Sequence, residues 1–205
     1  MSRLDEVRHQ ALKKLRDHEV LITGHFDYGN GYHGRVYLNP HQLFRQPSTI
    51  WQLAQDLLDV IPADVLAATD VVAGPVTGGA LLAHTLAGLL DGRRSLTHPP
   101  STFAPFTPDD RGHFRLRPFY ARQMAGARVL LADDVRNTGK TLEECAALVR
   151  AAGGMLVATV QIYDRGESVV DLRVPNYSLA AYESTHNLTA DACPMCREGV
   201  PITTW

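Results

Sequence analysis

The chain reads as an α/β protein built on an open, mostly parallel sheet with helices on both faces. Two observations predict this. Short apolar runs at 71–73, 129–132 and 155–162 alternate with helical patterns at 80–90 and 142–152, and such alternation argues for parallel strands covered on both sides. The runs at 71–73 and 129–132 are continuously apolar rather than alternating, as strands buried on both faces are. At 205 residues and 45% hydrophobic content the chain is long enough for one full core, so 1–205 is taken as a single domain.

Each element has its own signal. Residues 1–20 are charged and carry Leu4, Val7, Ala11, Leu12 and Leu15 on one side, which predicts an amphipathic helix rather than a secretory leader. A second helix is expected where Ile50, Leu53, Ala54, Leu57 and Leu58 recur at helical spacing, with Ser48 or Thr49 as its cap. The strand at 71–73 runs into Gly74-Pro75 and then Thr77-Gly78-Gly79, a loop whose glycines let backbone N–H groups turn toward an anion. An ordinary strand-to-helix turn is the plainer alternative. Residues 96–120 break the pattern with Pro99, Pro100, Pro105, Pro108 and Pro118, so they form either a long functional loop or a pair of edge strands around a surface loop.

The densest chemistry lies between Val129 and Thr141. The apolar run ends in Asp133-Asp134, placing two carboxylates at the carboxyl end of a strand, where open α/β sheets bind ligands. Val135, Arg136, Asn137, Thr138, Gly139, Lys140 and Thr141 then supply hydroxyls, a glycine and backbone donors at the start of a helix, which favours an anion. Adjacent carboxylates repel unless hydroxyls or a cation offset them. The loop is thus expected to cradle a phosphate while the acids take sugar hydroxyls. Gly139-Lys140-Thr141 lacks the glycine that a Walker loop needs five residues before it, which argues against a nucleoside triphosphatase.

Residues 129–141 resemble the phosphoribosyl pyrophosphate signature of the type I phosphoribosyltransferases: hydrophobics, two acids, then a Thr/Gly loop. The resemblance extends from about residue 20 to residue 182 and is nearest to the orotate branch. Gly24 to Asn39 is similar to the N-terminal region that forms a hood over the base in those enzymes, which implies a hood at 20–45 and makes Tyr37 and Leu38 candidate base-stacking residues. Thr77, Gly78 and Gly79 match the loop that receives pyrophosphate, a loop that often holds a cis peptide in this family. Tyr163-Asp164-Arg165 resembles the Asp-Arg whose arginine faces the orotate carboxylate, although such a pair at a strand end is often only a surface ion pair.

The resemblance implies Mg²⁺-assisted transfer of ribose 5-phosphate from phosphoribosyl pyrophosphate to a nucleobase by a homodimer, and a cytoplasmic location is the expectation from a sequence that shows no leader-like or membrane-spanning run. It also implies a mobile catalytic loop at about 96–120, carrying Arg115, Arg117 and His113 as the catalytic positive charge beside Asp133 and Asp134. That interval departs from the orotate enzymes' Arg-Lys-x-x-Lys-x-His-Gly pattern in having no lysine; the chain's lysines are Lys13, Lys14 and Lys140. The acceptor therefore stays open between orotate or a similar base and a purine, and a non-catalytic phosphoribosyl pyrophosphate-binding regulator is the alternative of another class.

Charge and cysteines complete the picture. With 20 basic and 22 acidic residues and a net charge of −2, no basic footprint for nucleic acid or a membrane surface is present. Cys193-Pro-Met-Cys196, in the tail 186–205, has knuckle spacing, but zinc needs four ligands and the remaining cysteine, Cys145, is expected in the core. His186 and Asp191, or a second copy of the chain, would have to complete a site. Two ordinary thiols or a redox disulfide are the alternatives.

Overall fold

The computed structural model describes residues 3–27, 32–94, 98–166, 170–181 and 188–203. The chain runs through α1 (Arg3–Asp17), β1 (Leu21–Asp27), β2 (Tyr32–Leu38), α2 (His41–Phe44), α3 (Pro47–Val60), α4 (Ala63–Ala68), β3 (Val71–Pro75) and α5 (Gly78–Arg93). It continues through β4 (Thr102–Pro108), β5 (Phe114–Arg115), α6 (Pro118–Met124), β6 (Arg128–Arg136) and α7 (Lys140–Ala151). Last come β7 (Met155–Asp164), β8 (Asn176–Ala181), β9 (Leu188–Thr189) and α8 (Pro194–Arg197).

Six strands form the main sheet in the order β5-β4-β3-β6-β7-β8. β4, β3, β6, β7 and β8 run parallel, and only β5 is antiparallel to its neighbour. Along β6 the side chains alternate between two cores, as a period of two requires. Val129 and Leu131 join Met124, Leu142, Cys145, Ala146 and Val149 from α6 and α7. Leu130 and Ala132 join Leu53, Leu57, Leu82 and Leu86 from α3 and α5. Both faces are thus covered, as the unbroken apolar runs predict. Burying each such leucine contributes about 1.5–3 kcal/mol.

The pairing positions the site. β3 stays beside β6 only as far as Ala73 opposite Leu131, whereas β7 follows β6 to Arg136 opposite Asp164. From Asp133 onward, β6 therefore has a strand on one side and an open crevice on the other. That crevice is a topological switch point, since β3 is followed by β4 on one side of it and β6 by β7 on the other.

Several elements differ from the sequence expectation. Within 98–120, residues 102–108 and 114–115 are strands, the edge pair around a surface loop that is the second reading of this interval. Pro105 is accommodated because β4 meets β5 only at Thr107 and Pro108, leaving the rest of its outer edge without a donor requirement. α3 begins at Pro47 with Gln46 as its cap residue, not Ser48 or Thr49; proline fits the first helical turn, where an N–H would be unpaired anyway. β6 extends through the acids, and α5 and α7 each start two residues earlier than the apolar pattern suggests. A second, antiparallel sheet has the order β1-β2-β9, with Tyr32 opposite Thr189 and His33 opposite Leu188. Among the described residues, no helix is long and apolar enough to cross a membrane.

Candidate active site

Asp133 is buried and Asp134 half-buried at the end of β6. Asp133 Oδ1 accepts a hydrogen bond from Asp134 N at 2.9 Å, and Asp134 Oδ1 accepts one from Val135 N at 2.8 Å, which fixes both carboxylates on their own backbone. Burial pushes the Asp133 carboxyl well above the usual carboxylate range, and the adjacent Asp134 charge pushes it further.

Beyond it, the chain forms the expected cup. Asp133, Val135, Arg136, Asn137, Thr138, Gly139, Lys140, Thr141 and Leu142 line a cavity of about 110 Å³. That is a few water volumes at about 30 Å³ each, the scale of one phosphoryl group rather than a nucleotide. Gly139 has φ 82°, the left-handed conformation that lets the loop turn into α7. Asn137, Thr138, Lys140 and Thr141 are exposed at the rim.

The glycine loop after β3 lies directly against the acids. A Cβ added at Gly79 would meet Asp133 Oδ1 at 2.9 Å, and one added at Gly78 would collide with Asp134 Oδ2 and the ring of Phe44. Only glycines permit this approach. The peptide between Val76 and Thr77 is cis, as the family resemblance implies, and Val76 N donates to Phe106 O at 2.9 Å, tying the loop to β4. Two motifs more than fifty residues apart in sequence thus meet in one place.

The other candidates are distributed around this centre. Arg165 N donates to Arg136 O at 2.9 Å, so Arg165 follows β7 beside the cup. Asp164 does not simply pair with its neighbour: it accepts from Arg136 at 3.4 Å, Gln161 at 3.2 Å, Asn176 at 2.8 Å and Gly166 N at 2.9 Å. It fixes the turn that carries Arg165. Tyr37 lies on β2, its ring 5.5 Å from that of Phe26, and Leu38 is packed against the main core.

Arg115, Arg117 and His113 do not line the cup. Arg115 and Arg117 border a separate depression of about 400 Å³ with Thr107, Leu116 and Pro118. His113 Nδ1 is 3.4 Å from Glu144 on α7, and Arg115 Nε is 3.8 Å from Asp109. β-pairing sets this placement, since Arg115 lies opposite Thr107, one residue beyond the Phe106 that holds Val76. The arginines occupy the outer rim on the glycine-loop side.

Sequence reasoning missed Phe44, Gln161 and the bracing role of Asp164. Gln161 is buried opposite Asp133, with its Oε1 lacking a hydrogen-bond partner. A glutamine within the mostly apolar run at 155–162 was the available signal.

The phosphoribosyl transferase domain model matches residues 52–194. The chain is 30% identical over 192 residues to an orotate phosphoribosyltransferase of Heliobacterium modesticaldum, covering 94% of each chain. It is 32% identical over 170 residues to one of Erythrobacter litoralis, covering 83% of this chain and 82% of the relative. Among solved structures it is similar to the orotate phosphoribosyltransferase from Aeropyrum pernix, with a TM-score of 0.68 and 24% identity over 84% of this chain and 93% of that one. Read with the acids, the cup and the glycine loop that meet at the end of β6, these matches make the chain a member of the phosphoribosyltransferase family.

Proposed function

We propose that the protein transfers ribose 5-phosphate from phosphoribosyl pyrophosphate to orotate, releasing pyrophosphate and forming orotidine 5-phosphate. The observation that carries this is the contact between Gly78-Gly79 and Asp133-Asp134 at the mouth of a phosphate-sized cup. The names of the relatives support orotate as the base.

In this reading the 5-phosphate sits in the cup, on the backbone donors of 136–141 and the start of α7. Asp133 and Asp134 take the ribose hydroxyls, and Thr77 to Gly79 receive the diphosphate. Arg115, Arg117 and His113 supply positive charge from the rim. Arg165 grips the base's carboxylate with paired N–H donors, and Tyr37 and Leu38 cover the ring. The chain contributes mainly alignment and fixed charge, since displacement at the anomeric carbon needs no covalent nucleophile.

The donor set fits Mg²⁺. It is all oxygen, and the unfavourable ionisation of buried Asp133 is what a nearby dication would reverse. When bound, the ion screens the diphosphate and polarises the leaving group. Asp133 and Asp134 would hold it through water.

The test is pyrophosphate release with phosphoribosyl pyrophosphate, Mg²⁺ and a panel of bases. Release with orotate is expected; release only with a purine would move the acceptor, and tight binding without turnover would make the protein a regulator. The Asp133→Asn/Asp134→Asn double variant is expected to lose sugar-diphosphate binding. Full activity in that variant would overturn the site.

A further inference from the structure

Four metal-binding side chains that take no part in the proposed transfer converge in the second sheet. His25 on β1, His33 on β2, and Cys193 and Cys196 at the start of α8 each point one donor atom at a common centre, all within 4.8 Å of one another. His25 Nε2 is 3.0 Å from His33 Nδ1, and Cys196 Sγ is 3.2 Å from the same His33 nitrogen. Both sulfurs lie 3.6 Å from His25 Nε2. A tetrahedron with Zn–S bonds of about 2.3 Å and Zn–N bonds of about 2.0–2.1 Å has edges of roughly 3.3–3.8 Å. The two 3.6 Å spacings fall in this range and the 3.0 and 3.2 Å spacings lie just short of it, so small side-chain shifts bring the four donors to a two-histidine, two-thiolate centre.

Proton positions point the same way. His25 Nδ1 is 2.7 Å from the Val200 carbonyl, which can only accept, so Nδ1 carries a proton and, in the neutral ring, Nε2 presents a lone pair. His33 Nε2 faces the Asp27 carboxylate, 3.9 Å away. Two ring nitrogens 3.0 Å apart with two thiols beside them form a donor set that one shared cation satisfies. A carbonyl and a carboxylate behind the ring nitrogens are the usual orienting partners of metal-bound imidazoles. His25 and Cys193 are almost fully inaccessible, at 2% and 1% exposure, and Cys196 lies at the exposed edge; four protein donors fill a tetrahedron, which leaves no open position for a substrate.

We propose that His25, His33, Cys193 and Cys196 bind one structural Zn²⁺ that fastens the C-terminal segment to the β1–β2 hairpin. Coordination displaces the two thiol protons to solvent and leaves both imidazoles neutral. The same join is made by Thr203 N donating to His25 O at 2.6 Å and by His25 N donating to Thr203 Oγ1 at 3.1 Å. Asp191 is outside the set, and His186 lies outside the described residues. One chain supplies all four ligands, so no second copy is needed.

Elemental analysis of the purified full-length chain is expected to find close to one zinc per chain, and Cys193→Ser/Cys196→Ser to find less than a tenth of that. Because this variant can misfold, the wild-type protein supplies a second measurement. Stripped with a chelator and given Co²⁺, it is expected to show thiolate-to-cobalt absorption and the intense visible bands of a tetrahedral ion, both bleached by one equivalent of Zn²⁺. Wild-type protein that carries no zinc and takes up neither ion, or a Cys193–Cys196 disulfide in the native protein, would overturn the proposal.

Discussion

Asp133 sits where its own charge is least welcome. Its carboxyl holds a proton to higher pH in the folded state than in the unfolded chain, so folding stability falls as pH rises out of the ordinary carboxylate range. Asparagine keeps the acceptor for Asp134 N and removes the buried charge. Asp133→Asn is therefore expected to raise Tm at pH 7 by about 2–4 °C per ~1 kcal/mol relieved, while cutting turnover by about 100-fold or more. The gain should vanish at a pH low enough to protonate the aspartate in both states. Thermal melts across pH beside a pyrophosphate-release assay check this, and a lower Tm in the variant at pH 7 would contradict it. Gly78→Ala pushes a methyl group into Asp134 and Phe44. A cost of about 1–3 kcal/mol is expected, with loss of phosphoribosyl pyrophosphate affinity measurable by calorimetry. The acids and the cup were legible because each lies within one contiguous motif. Phe44 was not, since it reaches the site from a four-residue helix with no periodicity to mark it.

At the scale of elements, Asp70 holds the starts of β3, β4 and β6 together. Its carboxylate takes paired bonds from the Arg128 guanidinium at 2.9 Å each and a third from Arg128 N at 2.9 Å, while its backbone reaches Arg128 O and Thr102 N. The Arg128 side-chain bonds hold its carboxyl down at about 2. A depressed folded value contributes stability that is present above the ordinary carboxylate range and lost as pH falls toward 2. Asp70→Asn is expected to lower the urea midpoint at pH 7, with the difference from wild type shrinking between about pH 4 and pH 2. An unchanged midpoint at pH 7 would show that the clamp is solvent-screened and contributes nothing. Of these strands, β3 and β6 were readable as apolar runs. β4 was not, because its prolines look like loop until an unpaired edge is known to accept them.

For the whole molecule, three cysteines fall into two environments. Burial pushes the Cys145 thiol far above its usual range, and the Asp133 charge pushes it further. Thiol titration of the native, metal-loaded protein is expected to find Cys145 unreactive, with three thiols per chain appearing only on unfolding with a chelator. Rapid labelling of Cys145 in the native state would refute the packing of α7 against β6. Sequence spacing identified Cys193 and Cys196 as a possible half-site but not their partners. His25 and His33 are brought to them by the β1–β2 hairpin and by β9, a pairing across more than 150 residues that no local pattern announces.

That late pairing also orders events during synthesis. β1 and β2 leave the ribosome early, yet the strand that completes their sheet is made only after β3 to β8, so the parallel sheet can bury its core while the hairpin waits. A two-stranded ribbon is marginal in water. In a nascent chain stalled before residue 188, protease is expected to cut the early hairpin readily and spare the strands that hold the phosphate cup.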